Sequence, residues 1–207
     1  MPEANWGNLP SARMQTLFDG VSSIAMTLLV MNIQVPDSAA SMNNAELLNL
    51  LHSMAPRFFA FILSFLLLAS LWRIHHRQYQ WIESLDSGLL WINIFWQLFI
   101  ALLPFSSQLI GQYSRHIVSA LVFHGNLLAV GFCSWLSWHY AVKNHLVSPS
   151  TSKVEIKNNL YSVLILPATS LIASVVCFWT PGNSSLTYLL IFPFRLIMNR
   201  TLFAKPA

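Results

Sequence analysis

Few side chains in this 207-residue sequence can do chemistry, and the first of them is Asp19. It lies in an apolar run with Arg13 and a series of small or hydroxyl residues, Gly20, Ser22, Ser23, Ala25 and Thr27. An acid at membrane depth costs on the order of 2.5 to 3.5 kcal/mol and marks either a functional site or a tether between helices. His75 and His76 end the second apolar run, where titration near pH 6.5 would serve regulation and an ordinary interfacial pair would serve structure. His116 and His124 are eight residues apart, about 80° on a helical wheel, a poor fit to axial ligands on one face. Cys133 and Cys177 lack any CxxC or Cys/His spacing and read as small buried hydrophobes, so no metal site is expected. With no Gly-x-Ser-x-Gly, His-Glu-x-x-His or phosphate-binding glycine loop, and only seven acids, the sequence predicts neither an enzyme nor a bound cofactor.

The elements that hold these residues are apolar. The chain is 55% hydrophobic and 9% charged, against roughly 25% charged in soluble domains. A soluble core is thereby excluded, and one all-α membrane domain over residues 1–207 is expected. Windows long enough for a hydrocarbon core of about 30 Å fall near residues 14–35, 57–74, 88–105, 115–140, 159–179 and 184–203. The third ends at Leu103-Pro104-Phe105, and the sixth carries Pro193 and Arg195. No basic n-region or cleavage pattern marks the first span as a signal peptide, so it is expected to stay in the mature protein.

Six spans put both termini on one side of the bilayer. Arg13, Arg73, Arg77, Lys143, Lys153, Lys157, Arg195, Arg200 and Lys205 then lie with the termini, and only Arg57 and Arg115 lie opposite. The positive-inside rule predicts cytoplasmic termini in a cell inner membrane. Cations distributed this way encode topology and do not form a nucleic-acid surface. Trp72, Trp81, Trp91, Trp135, Trp138 and Trp179 lie near span ends, as an interfacial belt requires. The connection 36–56 contains leucines at helical spacing in residues 44–51, which predicts a short amphipathic helix.

On a 100° wheel, Arg13, Leu17, Gly20, Ile24, Leu28, Met31 and Val35 lie within about 40° of one meridian, with Asp19 about 140° away. A stripe of this kind is either core packing or the wall of a path. Asp19 points instead toward neighbouring helices.

Arg13-Met14-Gln15-Thr16-Leu17-Phe18-Asp19-Gly20-Val21, with Ile24, Thr27-Leu28-Leu29-Val30 and Val35-Pro36, resembles the first-helix signature of bacterial relatives of the lysosomal potassium channel family called transmembrane protein 175. That signature reads Arg, three residues, Phe-Ser-Asp; here Leu17 and Phe18 stand where Phe and Ser are expected. Phe61-Ile62-Leu63-Ser64-Phe65, then Trp72, His75, His76, Asn93 and Leu103-Pro104-Phe105, extend the resemblance to about residue 106. The resemblance implies a homotetrameric, potassium-selective cation channel whose first helices line the path, with no potassium-channel filter loop and with potassium as the permeant ion. It implies an apolar constriction at Ile24, Leu28 and Met31, with Thr27 beside it. It also implies a polar network of Arg13, Asp19, Trp72, His75 or His76, and Asn93. The competing readings are a secondary transporter, which would show an internal repeat with broken helices, and a structural or redox membrane protein, which would show ligand spacing.

Overall fold

The computed structural model of the chain describes residues 11–191 and 193. Among these the architecture is all-helical: α1 (Ser11–Leu28), α2 (Asn44–Ser53), α3 (Ala55–Tyr79), α4 (Ser87–Ala101), α5 (Leu103–Gln112), α6 (Ile117–Lys143) and α7 (Lys153–Val176). Extended pairing among the described residues is confined to one bridge, Ile82 with Val147. There the α3–α4 and α6–α7 loops clasp each other: Ser148 N donates to Trp81 O at 2.7 Å, and Glu83 N to Leu146 O at 3.0 Å.

Among the described residues, five stretches are long and apolar enough to cross a membrane: Arg13–Asn32, Ala55–Tyr79, Ser87–Gln112, Ile117–Lys143 and Lys153–Val176. The third differs from the sequence expectation, because it does not stop at Leu103-Pro104-Phe105. Pro104 occupies the first turn of α5, where a missing N–H costs no helical bond. The helix therefore breaks at Leu102 and resumes at once, carrying the span to Gln112. The expected sixth span also differs at its start, since Pro181–Leu190 wind as a 3-10 helix. Here Ser184 Oγ donates to Pro181 O at 2.8 Å, and local hydroxyl-to-carbonyl bonds of this kind compete with α-helical pairing. Residues 194–203 of that span, with Arg195 and Arg200, lie outside the described residues, as does Lys205.

The helix starts are written in the sequence. Asn43 caps α2 by accepting from Glu46 N at 3.0 Å while Glu46 Oε2 accepts from Asn43 N at 2.8 Å. Ser152 and Glu155 repeat this reciprocal box at α7, each cap contributing about 1 kcal/mol. The expected amphipathic helix is α2, and its Leu47, Leu48 and Leu51 are all exposed in the single chain.

Packing within the chain relies on small and polar residues, because lipid offers no hydrophobic drive between helices. Ser64 Oγ of α3 donates to Ser107 Oγ of α5 at 2.9 Å, and Asn126 of α6 donates to Ser106 of α5 at 3.1 Å. Trp138 belongs to this interior and not to the interfacial belt where its position near a span end placed it: it is buried, and its Nε1 donates to Ile156 O at 3.2 Å. His124 is buried too, 2.9 Å from Ser184 Oγ and 3.1 Å from the Tyr188 hydroxyl, which holds the 3-10 segment against α6. Both cysteines are buried and free.

Helices α6 and α7 pack closely against each other. A Cβ built on Gly131 would stand 2.6 Å from Pro167 Cδ and 2.8 Å from Pro167 N, so only glycine lets the proline ring of α7 lie against α6. Gly131→Leu is expected to separate the two helices at a cost of about 1 to 3 kcal/mol, the usual penalty of overpacking. Thermal melting followed by size-exclusion fluorescence should show a lowered midpoint; an unchanged midpoint would mean that the crossing does not limit stability.

Candidate functional site on the first helix

α1 has two faces with opposite fates. Met14, Phe18, Ser22, Ala25 and Leu29 are buried against the rest of the chain. Leu17, Ile24, Leu28 and Met31 are exposed, Ile24 at 61% and Met31 at 63%, and a Cβ on Gly20 would meet nothing within 4 Å. The apolar stripe is thus not core packing of this chain. Thr27 is exposed beside it, its hydroxyl donating to Ile24 O at 2.8 Å. Val35 is exposed as well, but it lies past the helical residues, which end at Asn32.

One turn of α1 is locked to one turn of α3. Gln15 Nε2 donates to His76 Nδ1 at 2.7 Å, and Trp72 Nε1 donates to Asp19 Oδ1 at 2.8 Å. Between these bonds the fully buried Phe18 ring stacks on His75, with centroids 3.7 Å apart, and lies 4.5 Å from Trp96 of α4. Residues 15, 18 and 19 on one helix and 72, 75 and 76 on the other share the three-and-four spacing that puts side chains on one face. Trp72 also stacks over His76 at 5.5 Å, so the two aromatic groups of the bonds support each other.

From His75 the polar contacts run deeper. His75 Nε2 lies 3.1 Å from Asn93 Oδ1. Asn93 Nδ2 donates to Leu89 O at 2.7 Å and to Ser137 Oγ of α6 at 3.3 Å, which leaves Oδ1 as the acceptor and fits the imidazole tautomer protonated at Nε2. Nδ1 of His75 then faces the interior without a partner among the described residues. Four helices, α1, α3, α4 and α6, meet through this chain of groups.

The structure brings together Asp19, Trp72, His75, His76 and Asn93, in two linked sets. Arg13 is exposed, and no hydrogen bond joins it to Asp19 among the described residues. Sequence reasoning missed Gln15, Trp96, Ser137 and Asn32. Gln15 was discoverable, being four residues before Asp19 on the same helix face. Asn32 was discoverable as the lone amide ending an apolar run: it is buried, and its Nδ2 donates to Pro104 O at 3.0 Å, tying the end of the first span to the α4–α5 break. Phe18 was read as a departure from a motif, and it is the buried centre of the contact.

A chain with several membrane-length helices, polar glue between them and one helix locked on one face and bare on the other is a multi-pass helical membrane protein. Residues 13–104 match the family model described as endosomal/lysosomal potassium channel TMEM175. A potassium channel of Streptomyces collinus is 28% identical over 144 residues, 67% of this chain and 68% of that protein. A potassium channel of Chamaesiphon minutus is 29% identical over 150 residues, 70% of this chain and 73% of that protein. The crystal structure of a lysosomal potassium-selective channel TMEM175 homologue from Chamaesiphon minutus superposes with a TM-score of 0.77 at 26% identity, covering 91% of this chain and 98% of that one. The chain is thus similar to the TMEM175 channels, in sequence over residues 13–104 and in fold over most of its length.

Phe18→Ala should be the most damaging single change at the lock, removing a fully buried ring at about 3 to 5 kcal/mol. Trp72→Phe keeps the ring and deletes only the donor to Asp19, a loss of about 0.5 to 1.5 kcal/mol. Thermal stability in detergent should rank wild type above Trp72→Phe above Phe18→Ala. The reverse order would make the Asp19 bond, and not the ring stack, the principal contact.

Proposed function

We propose that the chain is a potassium-permeable cation channel, assembled as a homotetramer in which four copies of α1 surround the ion path. The activity class is supported by the match of residues 13–104 to the TMEM175 model and by the likeness to relatives in Streptomyces collinus and Chamaesiphon minutus that bear the name potassium channel. The observation that carries the assignment of α1 is its bare stripe. Of the five described spans α1 is the least apolar and the least covered by its own chain, and lipid is a poor neighbour for a bare face that includes Gly20 and has Thr27 beside it. Copies of the same face meeting around an axis cover it.

Ile24, Leu28 and Met31 form the constriction in this reading. Apolar side chains there offer no oxygen to replace the hydration shell, so the ring dewets and the resting state is closed. Thr27, one position from Leu28, lies next to the path. Arg13, Asp19, Trp72, His75, His76 and Asn93 do not line the path; those that join the lock fix the rotation of α1 about its own axis. Sidedness rests on the nine-to-two division of cations, which favours cytoplasmic termini in the cell inner membrane.

Potassium flux into liposomes, with the reversal potential measured under a potassium–sodium gradient, tests the channel. Ile24→Asn and Leu28→Asn should wet the ring, raise the current and lower the preference for potassium over sodium. Cysteines placed at Ile24 or Leu28 should cross-link between subunits. A chain that remains monomeric in lipid, or asparagine variants with unaltered current and selectivity at normal protein levels, would overturn the assignment.

A further inference from the structure

A second site lies away from α1, at the end of the bundle that carries Arg57 and Arg115. The start of α3, the end of α5, the first turns of α6 and the 3-10 segment enclose a cleft of about 390 Å³, within the range of about 300 to 1,000 Å³ typical of ligand sites. Its floor is apolar and buried: Leu63, Ile110 and Phe123, with the half-buried Phe59 on one wall. Its exposed rim is mixed, Ala55, Pro56 and Leu186 with Asn183, and Arg115 stands on it without a hydrogen-bond or ion-pair partner among the described residues. No acidic residue lines the cleft. Arg57, the other cation at this end, is already engaged, its Nη1 donating to Gln34 O at 3.3 Å.

An independent sign of a missing ligand is Ser185, which also lines the cleft. It is 5% exposed, and its Oγ has no partner among the described residues. Buried Ser64, Ser106, Ser107, Ser119 and Ser184 all donate to a nearby oxygen, as is usual; Ser22, Tyr79 and Thr151 share the open hydroxyl of Ser185, but none of them lines the cleft. A hydroxyl left open between an apolar floor and an unpaired guanidinium fits the ester region of an amphiphile. From Ala55 at the rim to Leu63 at the floor the α3 wall descends eight residues, about 12 Å at 1.5 Å per residue. That depth accommodates a length of hydrocarbon chain.

We propose that this cleft binds an anionic phospholipid drawn from the surrounding bilayer, with one acyl chain on Leu63, Ile110 and Phe123, an ester oxygen at Ser185 and the phosphate on Arg115. The guanidinium suits phosphate through paired N–H donors. No residue of α1 lines the cleft, so the site and the ion path are separable.

Native mass spectrometry of the full chain, titrated with phosphatidylglycerol or with phosphatidylcholine of identical acyl chains, tests the proposal. The wild type should retain phosphatidylglycerol about tenfold more strongly, equivalent to about 1.4 kcal/mol. Arg115→Gln should abolish that preference while leaving phosphatidylcholine binding unchanged. Ala55→Trp, which blocks the exposed rim, should reduce retention of both. Equal retention of the two lipids by the wild type would overturn the proposal, whatever the variants do. Displacement of phosphatidylglycerol by an equal concentration of palmitate would overturn it in favour of a free fatty acid, and displacement by inorganic phosphate would overturn it in favour of a simple anion site. Potassium flux, which depends on α1, should persist in both variants, so failure of the lipid site leaves the channel reading standing.

Discussion

The Phe18 ring sets the rotation of α1, and most of what is distinctive about the chain depends on that rotation. A helix with an apolar stripe on one face and a mixed small, aromatic and polar face on the other has two ways to dock onto a bundle. Burying the stripe would be the ordinary hydrophobic choice in water, but inside a bilayer the gain is absent, because lipid tails are as apolar as leucine. What decides the matter is the slot between His75 and Trp96, which Phe18 fills at stacking distance. The bonds on either side of it fix the axial register, and the stripe is left facing outward as a result.

The slot is itself assembled from elsewhere. His75 keeps its ring plane by stacking on Tyr79 and Trp96 and by its contact with Asn93, whose amide is oriented in turn by Leu89 and Ser137. The side chain that faces α1 is thus held by a ring on its own helix and by groups on α4 and α6. At the opposite end of the span, Asn32 holds Pro104 O. Two anchors about 14 residues apart prevent both rolling and sliding, and the residues between them are free to serve another purpose.

Much of this was readable before any coordinates. Hydrophobic windows located the membrane-length helices, leucine spacing located α2, and Asp19 turns to α3 while Ile24 and Leu28 are exposed, as their separation on the wheel requires. Other features were hidden for identifiable reasons. A wheel divides a helix into faces without saying which one turns inward, so the stripe could be read as core until Phe18 was seen in its slot. Pro104 ends an α-helix by rule and also begins one by rule, and only the register of Leu102 decides between the two. Trp138 has the composition and position of a belt residue, and what buries it is an acceptor 18 residues away in sequence. Ser184 and Tyr188 look like the start of a final span until His124 is seen between them.

The last four helical residues of the first span, Leu29–Asn32, are wound as 3-10 and not as α. A 3-10 helix advances 120° and about 2.0 Å per residue, against 100° and 1.5 Å for an α-helix. Counted from Leu28, Met31 is therefore displaced in azimuth by about 60° from where continued α winding would put it, and it stands about 1.5 Å farther along the axis. The stripe therefore drifts by about 40° from Ile24 to Leu28 under α winding and then straightens at its tip, because three residues of 3-10 winding complete one full turn. Side chains at 28 and 31 consequently share one radius about 6 Å apart along the axis, an eclipsed pair where continued α winding would have splayed them.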